Sequence, residues 1–135
     1  MQNGVILNAY PDSVSENLAG LIDFIERNNF NQAFTYLYIL PTLFNSDLDR
    51  GFSIIDYDLN RSLVASEDLK KLTDLNIKLK LDIVLNHLSV ASPQFQDLLQ
   101  RGDTSVYKDF FIDWNSFWKN NGTLGADGII QPKKE

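Results

Sequence analysis

Two short groups of side chains in this 135-residue sequence have the types and spacing to do chemistry. The first closes the run Leu81-Asp82-Ile83-Val84-Leu85-Asn86-His87 and offers Asp82, Asn86 and the sole histidine of the chain. The second is Asp49-Arg50-Gly51-Phe52 with Asp56-Tyr57, in a stretch with no sustained period. Carboxylates, a carboxamide and an imidazole can hydrogen-bond hydroxyl groups, and the imidazole can also move a proton near neutral pH. A continuous apolar run reads as a strand covered on both faces, and sites in (β/α) folds gather where such strands end. Loops that follow parallel strands open on one face, so a parallel sheet would bring the two groups to one pocket. A satisfied, buried histidine and an ordinary turn at Asp56-Tyr57 are the structural alternatives, which the residues alone leave open.

The elements that must position these groups follow from the apolar pattern. Gly4 to Ala9 reads as a buried strand stopped by Tyr10-Pro11-Asp12. Ser13 and Glu16 make a capping-box pattern, after which Val14, Leu18, Leu21, Ile22 and Ile25 line one face of a helix ending at Asn28-Asn29. Ala33 to Leu40 is a second strand, closed by Pro41, which cannot donate to a ladder. Residues 41–63 read as a long loop, a kind of connection that commonly carries function. Ser66 is expected to cap a second helix, with Glu67 and Asp68 in its first turn and Leu69, Leu72 and Leu75 facing inward. Ile77 to Asn86 is the third strand. Strand, helix, strand, helix, strand specifies a parallel α/β sheet with right-handed crossovers.

After His87 the alternation stops. Ser92-Pro93 starts a short helix carrying Phe95, Leu98 and Leu99 and ending at Gly102. Tyr107, Phe110, Phe111, Trp114, Phe117 and Trp118 then crowd together, and core packing is the expectation for them ahead of a sugar platform. The tail from Asn121 to Glu135 has no period.

Composition narrows the function classes. The chain is 44% hydrophobic and 12% aromatic, as folded domains are. It carries 18 acidic against 12 basic side chains, with no basic cluster longer than Lys133-Lys134, which argues against nucleic acid or an anionic membrane as partner. The absence of cysteine removes disulfides and thiolate metal sites and points to a reducing cytoplasm. Met1-Gln2-Asn3-Gly4 does not open a secretion signal, and no apolar stretch is long enough to span a bilayer. No glycine-rich phosphate loop follows the first strand and no Gly-x-Ser-x-Gly elbow is present.

At these residues the sequence resembles the sucrose phosphorylase branch of the α-amylase superfamily, particularly its glucosylglycerate phosphorylase-like members. Asp82-Ile83-Val84-Leu85-Asn86-His87 is similar to the first signature of that superfamily, Asp-x-x-x-Asn-His. Tyr10-Pro11-Asp12-Ser13, Asp49-Arg50-Gly51-Phe52 through Ile55-Asp56-Tyr57, and Asp109-Phe110-Phe111-Ile112-Asp113-Trp114 support it in the expected order. One departure is Leu63-Val64-Ala65, where relatives tend to have Leu-Gly-Thr.

The resemblance implies a (β/α)₈ TIM barrel of about 250 residues, of which residues 1–90 would supply roughly the first three strands. Residues 91–135 would begin an inserted B domain. Family chemistry is retaining transfer of an α-glucosyl group by an aspartate nucleophile and a glutamate acid/base about 5 Å apart. Both lie on later strands, so the chain alone is expected to be inactive. By resemblance Asp56 would hydrogen-bond the glucosyl ring, His87 would contact the same ring, and Phe52 or Tyr57 would offer it an apolar face. Asp82, Asn86 and Arg50 would support the site. The implied substrates of the full-length enzyme are a glucoside of the sucrose or glucosylglycerate type and phosphate. No cofactor or metal is implied; the Asn that binds calcium in some amylases matches Asn86, but the phosphorylase branch does not require the ion. A chain cut from a closed barrel is expected to self-associate or to need the rest of the barrel. The other readings are a non-catalytic sugar-binding or interaction module, and one half of a split enzyme.

Overall fold

Branched apolar residues alternating with polar or aromatic ones give the short strands β1 (Ile6–Ala9), β2 (Tyr36–Ile39) and β5 (Lys78–Leu81), paired in parallel in the order β1-β2-β5. A computed structural model describes residues 4–133. Met1 to Asn3, most of the N-terminal stretch without a signal pattern, and Lys134-Glu135, with the second lysine of the Lys133-Lys134 pair, lie outside them. Ala9, Ile39 and Leu81 are in register, so the loops after all three strands leave one edge of the sheet.

Helices α1 (Leu18–Arg27) and α2 (Ser66–Asp74) supply the crossovers and one wall of the core. Leu18, Leu21, Ile22 and Ile25 of α1 and Leu72 of α2 are buried with Leu37, Ile39 and Ile77. The helices are also bridged by Lys71, whose ammonium lies 2.8 Å from Asp23 and 3.2 Å from Glu26. These groups are half exposed, so the bridge adds little beside the apolar contact.

The capping expectations are corrected. Asn17 caps α1, its side chain accepting from the Gly20 N–H, whereas the Ser13 hydroxyl accepts the Tyr10 N–H in the preceding turn. Ser66 is already inside α2; Ala65 stands at the N-cap with no side chain able to accept, and Asp68 accepts the Ala65 N–H at 2.8 Å.

Residues 41–63 are not a plain loop. They hold an antiparallel hairpin, β3 (Phe44–Leu48) and β4 (Ser53–Leu59), with register shifts on both sides of the Ser46–Ile54 pair. Such bulges destroy the period of two by which a strand is read from sequence.

The third strand is also shorter than expected. It ends at Leu81, where its one ladder partner among the described residues, β2, ends at Ile39 before Pro41 enters a 3₁₀ turn. Residues 82–85 therefore lie outside the ladder, and the apolar run is not a buried strand: Ile83 is 59% and Leu85 81% exposed.

The chain divides into two compact units at Pro93 and Gln94. In the second, α3 (Pro93–Arg101) precedes the short helix α4 (Trp114–Trp118) and a hairpin of β6 (Gly122–Leu124) with β7 (Ile130–Pro132). Asn115 fastens that hairpin, donating to the Gly128 carbonyl and accepting the Ile130 N–H. The aromatic side chains pack edge to face in Phe95–Phe111, Phe110–Phe111 and Phe117–Trp118, yet Phe110 and Phe117 stay about 60% exposed. The residues expected to form an aromatic core thus make an edge-to-face cluster in which Tyr107, Phe111 and Trp118 are half-buried and the others exposed.

Candidate functional site

The common edge of the sheet is closed on one side by a strained turn. Asp49, Arg50 and Gly51 are consecutive left-handed residues, with φ of 53°, 46° and 99°. A side chain at Gly51 would overlap the carbonyl of Pro41, so glycine is required there by both φ and space. Left-handed backbone at Asp49 and Arg50 costs about 1 kcal/mol or more each, and such strain clusters at functional sites. The Arg50 Nη2 donates to Asp12 Oδ1 at 2.7 Å, and its guanidinium lies 4.0 Å from the centre of the Tyr10 ring. This links the loop after β1 to the turn. Asp49 is exposed, and among the described residues its carboxylate takes part in no hydrogen bond or ion pair. Phe52, just past the turn, is also exposed.

The hairpin is stitched to the segment that follows β5. The Tyr57 hydroxyl donates to the Val84 carbonyl. The Ser89 N–H donates to the Ile54 carbonyl at 2.7 Å, and the Ser89 hydroxyl donates to Asp47 Oδ2 at 2.6 Å. Hydrogen bonds from Ser89, and after it Ser53, hold the Asp47 carboxyl below its ordinary value of 3.8. The stretch containing His87 is thereby held against the strand containing Asp56 and Tyr57.

The sequence-derived residues fall into different situations. Asp56 Oδ1 accepts from Asn45 Nδ2 at 2.7 Å and from the Asp58 N–H at 2.9 Å, so one of its two oxygens is committed within the hairpin. The Tyr57 ring packs edge to face on Phe44 at 5.4 Å while its hydroxyl is occupied by Val84. His87 and Asn86 are exposed neighbours, with His87 Nδ1 3.0 Å from Asn86 Oδ1. That contact requires a proton on Nδ1 and leaves Nε2 free as an acceptor when the ring is neutral. Asp82 accepts a hydrogen bond from the Tyr38 phenol, which raises that phenol above its ordinary value of 10.0.

Asn45, Asp47, Ser89 and Tyr38 also take part, though no motif in the sequence marks them. Each is a polar residue in an irregular stretch or on the uncovered sheet face, and its role depends on a partner 11 to 44 positions away. No local signal marks them. The turn leaves the Asp49 carboxylate free near the exposed ring of Phe52, and the segment after β5 leaves His87 Nε2 free; both segments follow strands whose ends share one edge of the sheet.

No family model matches the chain. Over all of its length, 135 residues, it is 59% identical to a sucrose 6(F)-phosphate phosphorylase of Ilumatobacter coccineus, of which it covers 26%. It is 38% identical over 128 residues to the sucrose 6(F)-phosphate phosphorylase of Thermoanaerobacterium thermosaccharolyticum, again covering 26% of that protein. Among solved structures it superposes on sucrose 6F-phosphate phosphorylase from Thermoanaerobacter thermosaccharolyticum with a TM-score of 0.80 and 39% identity, over 88% of this chain and 24% of that one. The chain spans about a quarter of the length of the curated relatives it matches. The structures it resembles are (β/α)₈ barrel enzymes of the α-amylase family, and the matched part is N-terminal.

Proposed function

Starting from a chain that is homologous to the N-terminal quarter of sucrose-phosphorylase-type enzymes of the α-amylase superfamily, we propose that it supplies the opening strands of a barrel that transfers an α-glucosyl group to phosphate. The whole-length 59% match carries this reading. The site geometry agrees with it in kind: the strand-end loops present hydrogen-bonding groups and an aromatic ring on one edge, where the substrate of a (β/α) barrel binds.

Within that reading, His87 contacts the glucosyl ring through Nε2, and Phe52 lies against its apolar face. Asp49 is the stronger candidate for the sugar-binding carboxylate, because it is free and stands on strained backbone, whereas Asp56 Oδ1 is held by Asn45. Asp56 keeps Oδ2 for a sugar hydroxyl. Tyr57, with its hydroxyl on Val84, shapes the wall. Asp82 and Asn86 set the backbone that carries His87, and residues 82–85 pair with the strand that follows in a complete barrel. The substrates are a glucoside of the sucrose type and phosphate, and the compartment is the cytoplasm. Among the described residues no helix is long and apolar enough to cross a membrane.

The test is glucose 1-phosphate formation by this chain alone and after mixing with a polypeptide spanning the remaining three quarters of the Ilumatobacter coccineus relative. The chain alone should be inactive, since retaining transfer requires two carboxyl groups about 5 Å apart on later strands. The mixture should be active, and His87→Ala or Asp49→Ala should lower its rate at least about a hundredfold by removing ring contacts that strengthen in the transition state. Phosphorolysis by the chain alone, or indifference of the mixture to both substitutions, would overturn the proposal. Asp56→Asn decides between the two carboxylates.

A further inference from the structure

The left-handed turn at residues 49–51 is not dictated by its own sequence. Glycine takes positive φ freely and aspartate more readily than most residues, but Arg50 has no such allowance and adopts it as well. Contacts from elsewhere must hold the turn. The Arg50 side chain supplies two of them, to the Asp12 carboxylate at 2.7 Å and to the Tyr10 ring at 4.0 Å. Both partners lie on the loop after β1, 38 residues away in the case of Asp12. A planar guanidinium can hydrogen-bond at its edge and stack on its face at once, which an ammonium cannot do. Asp12 also offsets the charge of Arg50, which argues against a second role as an anion contact.

We propose that Arg50 is a positioning residue: clamped between the Asp12 carboxylate and the Tyr10 ring, it holds the turn that presents Asp49 and Phe52. The proposal rests on the reading that those two residues meet the sugar, but its mechanical part is testable separately.

Hydrogen–deuterium exchange of the full chain, followed in peptides covering residues 49–53, provides the test. The Phe52 N–H, which donates to the Asp49 carbonyl across the turn at 3.2 Å, is the reporter. Arg50→Ala should speed exchange there roughly fivefold to tenfold, the scale of a half-exposed charge pair plus a cation–π contact. Asp12→Ala should act in the same direction, and the double variant should exchange no faster than Arg50→Ala. Tyr10→Phe keeps the ring face and should retain the original rate, whereas Tyr10→Leu should not. Peptides from α1 should be unchanged in all of these. Wild-type exchange in Arg50→Ala, fully additive effects of Asp12→Ala and Arg50→Ala, or equal behaviour of Tyr10→Phe and Tyr10→Leu would each overturn the proposal. If Arg50→Ala unfolds the chain, seen as faster exchange in α1, the Tyr10 pair decides. In the mixed, active barrel, a loosened turn combined with indifference to Asp49→Ala upholds the clamp and defeats the sugar reading. An unmoved turn defeats the clamp whatever Asp49→Ala does.

Discussion

Ala65 shows how a single position shifts from sequence to structure. Its backbone has the extended conformation of an N-cap, φ −100° and ψ 155°, but its methyl group cannot accept the first free N–H groups of α2. Asp68 completes only the return half of a capping box. Ala65→Ser should therefore stabilise the chain by roughly 0.5–1 kcal/mol, read as a rise in the urea midpoint at unchanged slope. The neighbouring Val64 is 1% exposed and lies in the main core, so a β-branched side chain where relatives tend to have glycine is accommodated by packing. Val64→Gly should cost about 2 kcal/mol or more, through lost apolar burial and added chain entropy, measurable in the same denaturation. At Asp47 the hydrogen bonds from Ser89 and Ser53 depress the carboxyl pKa. A depressed carboxylate contributes stability that is present above the unfolded value, about 3.9, and lost as pH falls through the folded one. Acidification below pH 4 should thus release Ser89 from the hairpin. Amide exchange at Ser89 should rise with falling pH beyond its intrinsic trend, and Asp47→Asn should remove that excess.

At the scale of elements, the irregular connection between β2 and α2 carries more structure than its pattern suggests. Its hairpin depends on a bulged register and on Gly51, whose φ of 99° and lack of a side chain let the turn sit on the Pro41 carbonyl. Gly51→Ala should cost on the order of 1–3 kcal/mol from backbone strain alone, with a further penalty from displacing Pro41. Thermal unfolding would measure it, and a loss of less than half a kcal/mol would show that the turn can flatten. The long-range stitches Tyr57–Val84, Ile54–Ser89 and Asp47–Ser89 then fix how the hairpin meets the histidine segment. They explain why two groups separated by some 30 residues face one edge of the sheet.

At the scale of the whole molecule, one face of the three-stranded sheet is covered by α1 and α2, and the other displays Asn8, Tyr36, Tyr38, Lys78 and Lys80. Beyond β5, Ile83 and Leu85 stand exposed with no ladder partner among the described residues. Free strand edges and exposed apolar side chains promote association. Sedimentation of the isolated chain should therefore show self-associated species, and a monomer would refute this. The alternating α/β order, the faces of both helices and the pairing of two chemical groups with two strand ends were legible from residues, because hydrophobic period and strand-end polarity are local properties. So was the family, whose signature residues are contiguous in Asp82 to His87 and Asp49 to Phe52. What tertiary structure alone decided was where β5 stops, that residues 44–59 pair, which carboxylate is free and which is held, and that Arg50 reaches back to Asp12 and Tyr10. Each of these depends on a partner distant in the chain, and the period of a sequence carries no record of such partners.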